Sequence, residues 1–253
     1  MATAKKFLAA AAALAALVGI GGAARADTVT VDGVKRTFSY TCPANGCTRG
    51  LPVVFGFHGH LQQPAAFKKR AGFEARGVKA IFVYPLGTPA LAPSWNAGAD
   101  PAQVSAEKDG VDDVGFVEAI IAYLDAKYQI DHSRIFATGA SNGGQFAWEL
   151  ACTTRIFAAI AHVAGTMNDP NCPPMSHPPV LVISGTSDNV EKWGGGGLAG
   201  DLPFQQGIDL FRAARAPVTV LRPSGGHSWE QPDLDMTGAV LKFFGFGVTT
   251  PTS

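Results

Sequence analysis

The sequence has no excess of charge of either sign, because 20 lysines and arginines balance 20 aspartates and glutamates. Proteins that bind nucleic acid or an anionic membrane surface usually carry a basic excess, and nothing here points to such a partner. Beyond Ile20 the chain also lacks any apolar run of the ~20 residues that a transmembrane helix needs. We therefore expect no nucleic-acid partner and no stable membrane association.

The amino terminus has the three parts of a secretory signal peptide. Lys5-Lys6 supplies positive charge, Phe7 to Ile20 is an Ala-rich apolar run, and Ala24-Arg25-Ala26 supplies the small residues of a cleavage site. A membrane anchor is the alternative, but the apolar run is shorter than the ~20 residues of a spanning helix. We predict a signal peptide over residues 1–26, export to the periplasm or the extracellular space, and a single domain over residues 27–253.

Cysteine is scarce, with four residues in the whole chain. In an exported protein, four cysteines suggest two disulfides. Of the three possible pairings we favour Cys42 with Cys47 and Cys152 with Cys172, because each pair is the nearest in sequence. Free, buried thiols are the alternative.

Runs of apolar residues predict an α/β fold. Thr28 to Val31 and Val34 to Thr41 flank Asp32-Gly33, a two-residue turn signal, and predict an antiparallel hairpin at one edge of a sheet. Five further strands are predicted over Leu51–Phe57, Val78–Pro85, Arg134–Thr138, Phe157–Gly165 and Val218–Leu221, and a sixth starts at Val180 and ends in a polar turn at Asp188. Because these runs are mostly apolar and alternate with helical segments, we expect a mostly parallel central sheet with helices on both faces.

The central chemical signal is Gly139-Ala140-Ser141-Asn142-Gly143, which joins an apolar strand to a helical segment. A tight turn between a strand and a helix forces Ser141 into a strained backbone conformation, with its hydroxyl clear of the sheet. Gly139 and Gly143 are needed because a Cβ at either position would collide with neighbouring backbone. The pattern predicts that Ser141 is a nucleophile.

Two later strands end in the partners that such a nucleophile needs. Asp188 directly follows one predicted strand, and His227 lies in a glycine-rich loop after the last. Ser141, Asp188 and His227 occur in the chain order nucleophile, acid, base that α/β hydrolases use. His227 would take the serine proton, and Asp188 would hold the imidazole in the required tautomer. Asp201 and Asp209 are alternative acids, but neither directly follows an apolar strand.

The strand Leu51–Phe57 runs into His58-Gly59-His60. Serine hydrolases of the α/β type place at this point the loop whose backbone N–H completes an oxyanion hole. We predict that the donors are the N–H of Asn142 and that of either His60 or Leu61. His58 is expected to shape the loop from the core, and His60 is a candidate substrate contact.

Three tryptophans are further candidates for substrate binding. Trp95 lies in a long loop of a kind that is uncommon without a function, and it either lines the substrate pocket or fastens the loop to the body. Trp193 precedes four glycines, which either bring the chain close to a substrate or are slack. Trp229 follows His227 by two residues.

Asp112-Asp113 is a paired acid that invites a metal or catalytic interpretation. It opens an amphipathic segment, and the first turn of a helix favours negative charge and a capping carboxylate. We therefore assign the pair a structural role. No metal and no other cofactor is expected.

Several of these segments together resemble one group of α/β hydrolases. They are Ser94-Trp95-Asn96-Ala97-Gly98, Val111-Asp112-Asp113-Val114-Gly115-Phe116, Ile130-Asp131 before Arg134 to Gly139, Ser141-Asn142-Gly143-Gly144, Leu150-Ala151-Cys152 and Gly226-His227-Ser228-Trp229. The set is similar to the secreted polyhydroxybutyrate depolymerase and feruloyl or acetylxylan esterase group. This resemblance implies the α/β-hydrolase fold and a carboxylic ester hydrolase, with Ser141 as nucleophile, Asp188 as acid and His227 as base.

The sequence departs from the depolymerases of that group in two ways. They often carry a cysteine directly after the His-Gly pair, where this chain has His60, and the chain ends soon after its last predicted helix without an appended polymer-binding module. Both differences favour a feruloylated or acetylated plant sugar, or another small to oligomeric ester, over an insoluble polymer. A polyester depolymerase is the alternative, and a catalytically silent binding protein is a third possibility.

Overall fold

The computed structural model describes residues 24–88, 91–98, 105–169, 178–197 and 202–249. The strands are β1 (Arg25–Val31), β2 (Val34–Thr41), β3 (Val53–Phe57), β4 (Ile81–Pro85), β5 (Ile135–Ala140), β6 (Ala159–Val163), β7 (Val180–Ile183) and β8 (Val218–Leu221). The helices are α1 (Pro64–Ala71), α2 (Ser105–Lys108), α3 (Asp113–Tyr128), α4 (Asn142–Thr153), α5 (Phe204–Ala213) and α6 (Met236–Phe243), with a short 3-10 helix over Phe73–Arg76.

Within these ranges the strands form one sheet in the order β1-β2-β4-β3-β5-β6-β7-β8. The β1–β2 hairpin and the β2–β4 pair are antiparallel, and all the other pairs are parallel. Asp32 and Gly33 join β1 to β2 with φ values of 49° and 79°, as a tight hairpin turn of this kind requires. The predicted mostly parallel sheet with an antiparallel amino-terminal edge is confirmed.

Two apolar cores cover the two faces of the sheet. Side chains alternate between them along β3, since Val53, Phe55 and Phe57 join the core beneath α3, α4 and α5 while Val54 joins the core beneath α1, the 3-10 helix and α6. A strand with both faces covered has to be apolar throughout, which explains why β3 reads as an unbroken hydrophobic run. The fold is the three-layered α/β arrangement that the sequence predicts.

The predicted signal-peptide cleavage site lies inside the first strand. Arg25 and Ala26 pair with Tyr40 and Ser39 in the β1–β2 hairpin. Cleavage after Ala26 would remove these two residues and leave the register from Asp27 onward unchanged. None of the helices in the described ranges is long and apolar enough to cross a bilayer.

One of the two predicted disulfides is present. Cys42 and Cys47 are bonded, with their Cα atoms 4.9 Å apart, and they close the turn that follows β2. Cys152 is buried near the end of α4. Its predicted partner, Cys172, lies outside the described residues, so the Cys152–Cys172 pairing stays a prediction.

Candidate active site

Ser141 stands at the sharp turn between β5 and α4. Its φ is 56° and its ψ is −130°, a conformation that a residue with a Cβ rarely adopts. A Cβ on Gly139 would lie 2.3 Å from the carbonyl oxygen of Gly143, and a Cβ on Gly143 would lie 2.4 Å from that of Phe57. Both glycines are therefore required, and the strained turn expected from the sequence is present.

Asp188 and His227 are in direct contact. Asp188 Oδ2 lies 2.9 Å from His227 Nδ1, and the carboxylate side chain is fully buried whereas the imidazole is 20% exposed. The other carboxylate oxygen, Oδ1, accepts the backbone N–H groups of Val190 and Glu191 at 2.9 and 3.0 Å. These three contacts fix both oxygens of Asp188, so the acid has one orientation relative to the imidazole.

The loops that carry this pair pack backbone against backbone. A Cβ on Gly185 would lie 2.1 Å from the carbonyl oxygen of Gly225, and the N–H of Ser187 donates to that same oxygen at 3.0 Å. Ser187 Oγ also donates to the carbonyl of Ser224 at 3.0 Å. The loop after β7 and the loop after β8 are thus held together on either side of the Asp188–His227 contact.

Backbone hydrogen bonds extend the edge of the sheet from Ser141 toward this pair. The N–H of Ser141 donates to Val163 at the end of β6, and the N–H of Ala164 donates to Ile183 at the end of β7. The N–H of Ser184 then donates to Leu221 at the end of β8. Because the carboxyl ends of parallel strands meet at one edge, Ser141, Asp188 and His227 share that edge, as chain order predicts.

The loop after β3 reaches the same edge. Gly59 allows this approach, since a Cβ there would lie 3.3 Å from the carbonyl oxygen of Ala140. Leu61 has φ 60°, and its N–H donates to the carbonyl of Pro93 at 2.8 Å. The backbone N–H of Leu61 is therefore already occupied, and the prediction of Leu61 as an oxyanion donor is wrong. The N–H of His60 makes no hydrogen bond to any residue of the described part, and that of Asn142 opens α4, where an N–H has no acceptor within the helix.

Two of the four predicted substrate contacts are wrong. Trp95 is 0% exposed and Trp229 is 3% exposed. The Trp95 indole stacks on Phe146, with ring centroids 5.2 Å apart, and the Trp229 indole packs edge-on against Phe67 at 5.1 Å. Their large apolar area is buried beneath the site, so neither ring is available to a substrate.

Trp193 and His60 remain accessible. His60 is exposed, and Trp193 is half-buried. The Trp193 ring lies parallel to Phe204 with centroids 5.3 Å apart, and the guanidinium of Arg222 lies 3.9 Å from its centroid. These contacts hold the indole in a fixed orientation.

Asp112 and Asp113, the paired acids that could suggest a metal site, both have structural partners. Asp112 caps α3 by accepting the N–H of Gly115 at 2.7 Å. Asp113 is buried and pairs with Arg36 at 2.5 Å. Among the described residues no three His, Cys, Asp or Glu side chains form a group that could hold a metal ion.

Sequence reasoning missed Arg36 and Glu191, two buried charged residues that hold together the segments around the site. Glu191 is buried, and its Oε2 accepts the N–H of Thr166 at 2.6 Å, so it joins the Asp188 loop to the loop after β6. Arg36 reaches from β2 to Asp113. Neither belongs to a motif, and nothing in the sequence distinguishes Arg36 from the neighbouring Lys35, or Glu191 from the neighbouring Lys192, as the charge that becomes buried.

A cavity of about 280 Å³ lies away from this edge. It is bounded by the loop of Cys42 and Cys47 and by the residues that lead into β4, among them Val78 and Ala80. These residues stand at the amino end of β4, whereas the catalytic candidates follow the carboxyl ends of strands. The cavity therefore does not belong to the candidate site.

Two buried histidines should make stability fall at acid pH. Burial lowers the pKa of His58 to about 4 and that of His162 to about 3. In the unfolded chain a histidine has a pKa of about 6.5, so below that pH the unfolded state binds more protons. Stability is fully present above pH ~6.5, and each residue should remove up to ~1.4 kcal/mol per pH unit as the pH falls toward its folded pKa.

Thermal melting of wild type and His162→Phe between pH 7.5 and 4 tests this dependence. The ring of His162 packs on Trp148 with centroids 4.3 Å apart, and within the described residues its polar contact is a weak one with the backbone of Gly165, so an apolar ring is a suitable replacement. We expect the variant to show a shallower loss of stability below pH ~6.5. An identical slope in both proteins would contradict the assignment.

Comparison with known proteins finds feruloyl esterases among the relatives of this chain. The probable feruloyl esterase C of Aspergillus clavatus is 30% identical over 203 residues, which cover 69% of this chain and 69% of that protein. The probable feruloyl esterase C of Aspergillus niger is 28% identical over 202 residues, covering 72% of this chain and 63% of that protein. No family model matches the chain.

Solved structures agree at the level of the fold. A ferulic acid esterase from Anaeromyces mucronatus, determined in complex with ferulic acid, superposes with a TM-score of 0.60. The match covers 88% of this chain and 89% of that chain at 16% sequence identity. At this identity the likeness establishes the α/β-hydrolase fold and nothing further.

Proposed function

The chain belongs to the feruloyl esterase family, and on that premise we propose that it is an exported serine esterase of feruloyl or acetyl esters. Membership makes it a carboxylic ester hydrolase. The observation that carries the proposed mechanism is the 2.9 Å contact between Asp188 Oδ2 and His227 Nδ1, at the sheet edge where Ser141 occupies its strained turn.

In this proposal Ser141 and His227 perform acyl transfer in two steps. A proton on His227 Nδ1, held by Asp188, leaves Nε2 free to accept the Ser141 hydroxyl proton as Oγ attacks the ester carbonyl carbon. His227 then gives that proton to the leaving alkoxide, and the acyl group stays on Ser141. A water molecule repeats the sequence in the second step, which releases the acid and restores the serine.

The proposed oxyanion hole uses the backbone N–H groups of His60 and Asn142. The loop that carries His60 approaches the elbow at Gly59, and Asn142 directly follows the serine. Two fixed donors aimed at the developing negative oxygen lower the barrier, and each is typically worth ~3 to 4 kcal/mol. The occupied N–H of Leu61 supports His60 as the first donor.

For the substrate we propose feruloyl or acetyl esters of plant-derived or other small to oligomeric alcohols. Two relatives carry the name feruloyl esterase C. The half-buried Trp193 and the exposed His60 are the side chains proposed to contact the substrate. We also propose that residues 1–26 are removed on export, and mass spectrometry of the exported protein tests this by its first residue, expected to be Asp27.

We expect soluble feruloyl or acetyl esters to be turned over faster than a solid polyester. Purified mature enzyme would be assayed in parallel on methyl ferulate, acetylated xylan and a polyhydroxybutyrate suspension, with Ser141→Ala as the blank. The best soluble ester should exceed the polyester by at least about tenfold in rate, a difference that substrate-pocket contacts routinely produce. Release of hydroxybutyrate as the only product would overturn the substrate assignment and favour the depolymerase alternative.

A further inference from the structure

The Trp95 loop contacts both sides of the proposed oxyanion hole. Trp95 itself is fully buried and makes three hydrogen bonds to the two segments that would supply the donors. One segment is the loop after β3, which includes His60, and the other is the first turn of α4, which begins at Asn142. Trp95 therefore links the two segments by hydrogen bonds, a role distinct from contacting a substrate and from filling the apolar core.

The first connection is a two-way clamp between Trp95 and the side chain of Asn142. The N–H of Trp95 donates to Asn142 Oδ1 at 2.7 Å, and Asn142 Nδ2 donates to the carbonyl of Trp95 at 3.2 Å. Asn142 Nδ2 also lies 3.3 Å from Gln145 Oε1. The clamp fixes the side chain of Asn142, whose backbone N–H is the proposed second donor.

The second connection runs from the indole to the loop after β3. Trp95 Nε1 donates to the carbonyl of His58 at 2.9 Å. Two residues before Trp95, the carbonyl of Pro93 accepts the N–H of Leu61, which belongs to the loop after β3, at 2.8 Å. The peptides between His58 and Leu61 are therefore held at both ends, and the N–H of His60 lies between them.

The Trp95 loop is itself anchored to the body of the protein. The N–H of Asn96 donates to Asp113 Oδ2 at 2.7 Å, and the other oxygen of Asp113 pairs with Arg36 at 2.5 Å. The Trp95 ring stacks on Phe146, with an interplanar angle of 8°. Because the anchor is buried and ionic on one side and aromatic on the other, it resists displacement of the loop.

We infer that Trp95 is a positioning residue that sets the distance between the two oxyanion donors. The inference rests on the proposed function, because it assigns a role only if the N–H groups of His60 and Asn142 receive the oxyanion. Donors must lie about 2.7 to 3.1 Å from that oxygen, and a displacement of ~1 Å can cost up to ~100-fold in rate. Trp95 acts through its hydrogen bonds and does not touch the substrate.

Trp95→Phe tests the indole hydrogen bond. Phenylalanine keeps an aromatic ring against Phe146 but cannot donate to the carbonyl of His58. We expect kcat per active site to fall about 10- to 100-fold while KM stays within about twofold, since the lost interaction matters in the transition state. Active sites would be counted by titration with a fluorophosphonate probe, so that a smaller folded fraction does not count as a lower kcat.

Trp148→Phe is the matched control. Trp148 is also buried and also makes one indole hydrogen bond, to the carbonyl of Gly165 at 3.3 Å, but it bonds to neither donor segment. The second readout is inhibition by phenylboronic acid, whose tetrahedral adduct on a serine places an oxygen in the oxyanion hole. Its Ki should rise in Trp95→Phe by about the factor lost from kcat, and it should not change in Trp148→Phe.

Asn142→Ala is the second variant if Trp95→Phe does not fold. It keeps the backbone N–H that serves as donor and removes only the clamp, and it should show the same parallel loss of kcat and phenylboronate affinity. A normal kcat and Ki per titrated site in either folded variant, with only a lower melting temperature, would overturn the inference. A wild-type enzyme that hydrolyses no ester would instead overturn the proposed function and this inference with it.

Discussion

Ser141→Ala is expected to reduce ester turnover by on the order of 10⁶-fold, the scale at which removal of the nucleophile leaves only binding and oxyanion stabilisation. The fold should be unaffected. Alanine has the same Cβ as serine, so the positive φ of 56° costs it no more. The hydrogen bond from the backbone N–H of residue 141 to Val163 is also independent of the side chain.

The measurement is hydrolysis of a chromogenic short-chain ester, together with the melting temperature. Ser133→Ala is the matched control, because Ser133 is an exposed serine just before the amino end of the strand whose other end carries Ser141. That variant should keep full activity, although it loses a hydrogen bond to Asp131. Turnover by Ser141→Ala within tenfold of wild type, in protein free of contaminating esterase, would refute the assignment of the nucleophile, whereas a wild type that turns over no ester would favour the catalytically silent binding protein.

The elbow could be predicted from the sequence because its geometry is local. Gly139 and Gly143 are separated from Ser141 by one residue each, and the steric need for both lies in backbone atoms of the same turn and of the adjacent strand. The chain order of Ser141, Asp188 and His227 was similarly sufficient to place them at one edge, since parallel strands bring their carboxyl ends together. Such inferences need only strand direction and neighbour order.

The tryptophans show where that reasoning ends. Trp95 lies in a long loop and Trp229 lies two residues after His227, and these positions in the chain suggested a role in substrate binding. Whether an indole faces a pocket or a core depends on what packs against it, and here Phe146 and Phe67 come from helices elsewhere in the chain. No local pattern distinguishes the two cases, because a large aromatic ring suits both.

The choice between His60 and Leu61 was beyond the sequence for a related reason. Adjacent residues in a loop both offer an N–H, and the one that is used depends on which finds an acceptor elsewhere. The carbonyl of Pro93, more than 30 residues away in the chain, accepts that of Leu61. Hydrogen-bond partners across a loop of this length are a tertiary property, as is the pairing of Arg36 with Asp113.

His162 is a core residue whose imidazole has little hydrogen bonding. Its ring is fully buried beside Trp148, and neither nitrogen has a well-formed hydrogen bond within the described residues, the backbone of Gly165 being a weak contact. A buried neutral imidazole in this state packs as an aromatic ring, and the desolvation of its poorly hydrogen-bonded nitrogens typically destabilises the fold by ~1 to 3 kcal/mol. Sequence periodicity identifies the buried face of a strand but does not supply partners for a polar residue on it.

Asp188→Asn is expected to reduce kcat by about 10⁴-fold, the scale at which a serine hydrolase loses the correct histidine tautomer. In the native site Oδ1 accepts two backbone N–H groups and Oδ2 faces His227 Nδ1. An asparagine must therefore keep its oxygen toward Val190 and Glu191 and turn its NH₂ toward the imidazole. Nδ1 then has to accept, the ring proton moves to Nε2, and His227 can no longer take the proton of Ser141.

The comparison with Asp209→Asn decides between the candidate acids that the structure describes; Asp201 lies outside the described residues. Asp209 is on the surface of α5, where it accepts a hydrogen bond from Gln205 at 2.7 Å, so its replacement should leave kcat within about twofold of wild type, the usual outcome for an exposed side chain. Asp188→Asn should keep its fold because the side chain is isosteric and its loop is held by Gly185. A loss of ~10⁴-fold in Asp209→Asn with little change in Asp188→Asn would mean that the acid had been misassigned, because only the residue that orients the imidazole can cause a loss of that size.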